Sequence, residues 1–65
     1  MNERQVKGVA EFTRHLHSGT LSIRQYHAAL HSLGLREDDM RMLSEDAWRW
    51  LIACAPERFV DRHAL

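Results

Sequence analysis

LSIRQYHAALHSLGLREDD, residues 21 to 39, holds one helix with both ends written into it and the start of another. Ser22 followed three positions later by Gln25 is a capping box, in which each side chain satisfies a backbone N–H left open at a helix start, and Leu21 is placed to clasp Tyr26 as a hydrophobic staple. Ile23, Tyr26, Leu30 and Leu33 then recur at spacings of three and four, one apolar stripe on a helix. Gly34 supplies the left-handed residue that stops the helix and turns Leu35 back onto Leu30. Glu37, Asp38 and Asp39 follow at once, where a helix dipole favours negative charge, so they are expected in the first turn of a short third helix that points Met40 and Leu43 inward.

Working outward, residues 3 to 17 place Val6, Val9, Ala10, Thr13 and Leu16 on one helical stripe with Phe12 beside them, ended by Ser18-Gly19. His15 and His17 fall in its last turn, where an imidazole suits the negative end of the dipole. On the other side, Ser44 reads as a new cap, with Glu45 and Asp46 in the next first turn and Leu43 stapling onto Trp48, so a bend at Ser44 and a fourth helix over about 45 to 55 are expected. Pro56 disfavours helical geometry at Ala55 but fits the first position of a further helix, Pro56 to about His63, with Phe59 and Val60 free to pack. The expectation is a single all-α domain over residues 1 to 65: a compact bundle of four or five short helices with a helix-turn-helix-like core, either monomeric or homodimeric.

A chain of 65 residues buries only about 60% of the surface its unfolded form exposes, so its core needs help from a metal, a disulfide or a second subunit. Cys54 is the only cysteine, which rules out an internal bridge and fits a reducing cytosol. The polar start Met1-Asn2-Glu3-Arg4-Gln5 leads into no long apolar run, so neither a signal peptide nor a membrane span is expected, and the cytoplasm is the expected location. Nine basic and nine acidic side chains cancel, which argues against bulk nucleic-acid affinity. Residues 36 to 46 alone carry five acidic groups against two basic ones.

The expected fourth helix is apolar almost all round. Trp48, Leu51, Ile52 and Ala55 share one face, Leu43, Ala47, Trp50 and Cys54 another, and Arg49 is the only charge from 47 to 55. Such a helix has to be covered on most sides, either by the rest of a monomer or in part by another chain. Trp, Tyr and Arg are also the residue types that carry most binding energy at interfaces. Trp48, Arg49, Trp50 and Tyr26, with the neighbouring Glu37, Asp38, Arg41 and Glu45, are therefore the candidate partner-binding residues.

Enzymatic chemistry finds little purchase. His27 and His31 stand four apart on one helix, but HxxxH without further ligands is weak, and no metal or other cofactor is expected. Cys54 has apolar helix neighbours and reads as inert packing rather than a nucleophile. There is no glycine-rich phosphate loop and no close carboxylate pair in an apolar setting. The stronger competitor is a helix-turn-helix DNA reader over Arg24 to Leu43. Its recognition helix would open with Glu37, Asp38 and Asp39, three carboxylates where phosphates and base edges must lie.

With LSIRQYHAALHSLGLREDD and LSEDAWRWLIACAPERFV together, most of the chain resembles the very small helical proteins that bacteriophages express to disable host machinery. Within that group it is most similar to the phage quorum-sensing anti-activators. Anti-CRISPR proteins share its size and helical character, and no motif separates the two. The resemblance implies a non-enzymatic inhibitor in the host cytoplasm that covers a surface of a host protein, such as a LuxR-type transcriptional activator or a type IV pilus ATPase.

Overall fold

The computed structural model describes residues 1–58 and is built of three helices, α1 (Glu3–Ser18), α2 (Ile23–Ser32) and α3 (Glu37–Cys54). The all-α expectation is met, but the number of helices is three among the described residues, not four or five. The bend expected at Ser44 does not form. Ser44 lies inside α3, where its Oγ shares a hydrogen bond with His27 Nδ1 at 3.3 Å, so it is engaged sideways and caps nothing. Two short helices would leave two extra ends with open amide and carbonyl groups, a cost that one continuous 18-residue helix avoids. The helix expected from Pro56 to about His63 lies for most of its length outside the described residues.

Each helix begins as its sequence dictates. Ser22 accepts from Gln25 N at 3.1 Å while Gln25 Oε1 accepts from Ser22 N at 2.9 Å, closing the capping box. Asn2 and Gln5 form the same device at the head of α1, with bonds of 2.8 and 3.1 Å, at the same three-residue spacing as Ser22 and Gln25. Gly19 and Gly34 terminate α1 and α2 with φ of 91° and 72°, a region that costs a residue with a Cβ roughly 1 kcal/mol or more. Replacing Ser22 by Ala is expected to remove about 1 kcal/mol of stability and lower the thermal midpoint by about 4–8 °C, measurable by circular dichroism.

Two long side chains cap the far ends of helices they do not belong to. Gln5 Nε2 donates to the carbonyls of Leu33 and Gly34 at the end of α2, at 3.1 and 3.3 Å. Arg58 donates to Leu16 O at 2.6 Å and to His17 O at 3.0 Å at the end of α1. Carbonyls that water would otherwise have to satisfy thus tie α1 to α2 and the segment after α3 to α1.

The core is Leu16, Ile23, Tyr26, Leu30, Leu35, Ala47, Leu51 and Ala55, with Val9, Phe12, Leu33, Met40, Leu43 and Trp50 half-buried around it. α2 lies between α1 and α3 and supplies the three central side chains, as its stripe predicts. The stripe of α1 is shifted from its expected position: Val6 and Ala10 are exposed, and the inward side is Val9, Phe12, Thr13 and Leu16. α1 and α2 approach closely at Gly8, where an added Cβ would stand 2.8 Å from the end of Leu33. No described helix is long and apolar enough to cross a membrane.

Candidate functional site

Glu37, Arg41 and Glu45 recur every fourth residue on α3 and Trp48 follows three further on, so helical geometry stands them along one stripe. Across from them α2 presents His27 and His31, again four apart. Between the two helices lies an open cleft of about 790 Å³, floored by Leu35, Met40 and Ser44 and rimmed by His27, His31, Glu37, Arg41, Glu45 and Trp48. Four of the eight candidate residues therefore meet in one place. None of Glu37, Arg41 and Glu45 is held in an ion pair among the described residues; the pairs there are Lys7–Glu3 at 3.2 Å and Arg49–Asp46 at 3.7 Å.

The other four candidates lie elsewhere. Tyr26 is 2% exposed, and its hydroxyl shares a hydrogen bond with Thr13 at 2.9 Å. It belongs to the core, and its place on the inward stripe of α2 was the better guide than its residue type. Trp50 is half-buried on the far flank of α3, stacked on His17 with ring centroids 4.0 Å apart and planes 16° from parallel. The Arg58 guanidinium stands 5.5 Å from its ring centre, so Trp50 joins the end of α1 to the segment after α3. Asp38 and Arg49 are exposed on the outward face of α3, away from the cleft.

The apolar ring expected around residues 47 to 55 is split by packing. Ala47, Leu51 and Ala55 are buried, whereas Trp48 is 45% and Ile52 63% exposed. Cys54 is exposed rather than packed, because it lies in the last turn of α3. His27, His31, Leu35, Met40 and Ser44 are the cleft residues that the sequence did not single out as a site; the four-residue spacing of the histidines was the available signal, and it pointed to a shared face, not to a metal.

Ser44 and His27 are the residue types of a nucleophile and its base. Yet the amides around Ser44 are committed to the helix, so no backbone donor is aimed at a developing oxyanion, and no described side chain orients the second nitrogen of His27. No three His, Cys, Asp or Glu side chains among the described residues converge to hold a metal ion. What the cleft does offer is an apolar floor, a half-exposed indole and charges of both signs that no described residue pairs. Searches with the whole chain find no matching family model, no similar curated protein and no similar solved structure.

Proposed function

We propose that this chain is a non-enzymatic protein-binding module whose partner seats in the α2–α3 cleft, with Trp48 as the apolar anchor and Glu37, Arg41 and Glu45 as the charged rim. The observation that supports this is the convergence of those four side chains over Leu35 and Met40, with the three rim charges in no ion pair among the described residues. Interfaces concentrate their energy in an aromatic anchor ringed by polar groups that exclude water, and the cleft has that composition. Its openness suits a helix or loop of another protein better than an enclosed small molecule. The resemblance to phage anti-activators supplies the target class: a host regulatory protein, a LuxR-type activator or a type IV pilus ATPase, inhibited by covering a working surface.

A DNA-reading role for α2 and α3 is the weaker reading, because Glu37 and Asp38 lie exposed in the first turn of the helix that would enter the groove. The test is direct titration of the purified activator and ATPase, together with capture of host proteins from a bacterial lysate, comparing the parent chain with Arg41→Glu. One stoichiometric host protein is expected, with affinity reduced about tenfold or more by the substitution. Unchanged binding by the folded variant overturns the cleft assignment, and a band shift of random DNA at low salt would favour the DNA reading.

A further inference from the structure

Turned away from α2, α3 carries a second pattern, of which only Glu45 also lines the cleft. Met42, Glu45, Arg49 and Ile52 are spaced by three, four and three residues, the repeat of a coiled-coil seam. All four are exposed, and Met42 and Ile52 are 56% and 63% so, among the largest exposed apolar side chains of the described residues. An apolar residue therefore sits at each end of the seam, and a pair of opposite charges sits at its centre.

We propose that this face binds a second copy of the same chain, α3 against α3 in antiparallel orientation, about a two-fold axis passing near Ala47. With that register Met42 of each copy meets Ile52 of the other, and Glu45 of each meets Arg49 of the other, so every layer is complementary. A parallel pair would set Glu45 against Glu45 and Arg49 against Arg49, with like charges opposed in the centre of the contact. The charge order thus selects direction as well as register. Trp48 flanks the seam on one edge, near the axis, where the two indoles cover each other. Asp46, already 3.7 Å from Arg49 within its own chain, flanks the other edge, so each Arg49 faces two carboxylates. The chain has zero formal net charge, so no long-range repulsion opposes the approach of two copies. The seam from Met42 to Ile52 runs about 15 Å at 1.5 Å per residue. A contact of that length is at the small end of specific interfaces, roughly 1,200 Å² or less in total, so a micromolar dimer is expected.

The proposal shares Glu45 and Trp48 with the cleft reading but not Met42, Arg49 and Ile52, which do not line the cleft, so the response of the dimer to Arg49→Glu tests it apart from that reading. It is tested by light scattering and sedimentation of the full chain over a concentration series. The mass is expected to rise from 7.6 kDa towards twice that value as concentration increases. Glu45→Arg and Arg49→Glu should each weaken the dimer about tenfold or more, and the double reversal should restore it to within about threefold of the parent. A spin label on Cys54, seven residues past Ala47, adds a measurement of direction. The antiparallel pair offsets the two labels by about 21 Å along the axis, whereas a parallel pair leaves them level with no axial offset and correspondingly closer. A folded chain that stays monomeric throughout overturns the proposal and leaves the face to a different protein. A dimer indifferent to both charge reversals, or one that the double reversal does not restore, overturns it as well.

Discussion

Leu30→Ala is expected to leave the chain largely unfolded at room temperature. Leu30 is 0% exposed in the last turn of α2, the helix that lies between α1 and α3, so its side chain is wholly enclosed in the core. Deleting a buried Leu side chain typically costs about 2–5 kcal/mol, the transfer energy of the lost carbons plus the cavity they leave. A domain of this size commands roughly 5 kcal/mol or less in total, so the loss consumes most of it. Far-ultraviolet circular dichroism should show helix content falling and the thermal transition broadening or vanishing. Leu30→Met, which keeps the volume, should cost less than about 1.5 kcal/mol and retain a cooperative melt. If Leu30→Ala melted within a few degrees of the parent, the core would not be centred on α2.

That centre was legible because α2 announces itself locally at both ends. Ser22 and Gln25 fix its start, Gly34 its stop, and between them only one face is apolar, so Ile23, Tyr26 and Leu30 could point in a single direction. α3 was less legible for the opposite reason. Its first turn is acidic as expected, but Ser44 carries the same residue code as a true cap, and only the presence of His27 across the groove makes it an interior serine. Local sequence cannot tell those two cases apart, because the deciding partner is 17 residues away. The same holds for the faces of α3. A helix apolar all round does not reveal which sector its neighbours will cover, so Leu51 and Ile52, adjacent and alike, end on opposite sides of the burial line. The cleft was half legible: Glu37, Arg41, Glu45 and Trp48 share a stripe by spacing alone, but its floor and its histidine wall come from tertiary packing. The cross-helix caps by Gln5 and Arg58 left no sequence signal, since each joins segments at least 28 residues apart.

Trp48 and Trp50, two residues apart, should separate binding from stability. Trp50→Ala is expected to cost about 2–3 kcal/mol, below the full range for a buried aromatic because the ring is only half-buried. It removes the surface on which His17 stacks and over which Arg58 lies, and with it the attachment of α1 to the segment after α3. A visible drop in the thermal midpoint follows, and any loss of partner binding should be only as large as the unfolded fraction explains. Trp48→Ala is expected to do the reverse. With 45% of the residue exposed at the cleft rim, its truncation should change stability by about 1 kcal/mol or less while weakening partner binding about thirtyfold or more, the signature of an aromatic anchor. Paired melting curves and binding titrations of the two variants check both halves of the statement. If Trp50→Ala abolished binding in a protein with an unchanged melt, the interface would lie on the far flank of α3, and the α2–α3 cleft would have to be given up as the partner site.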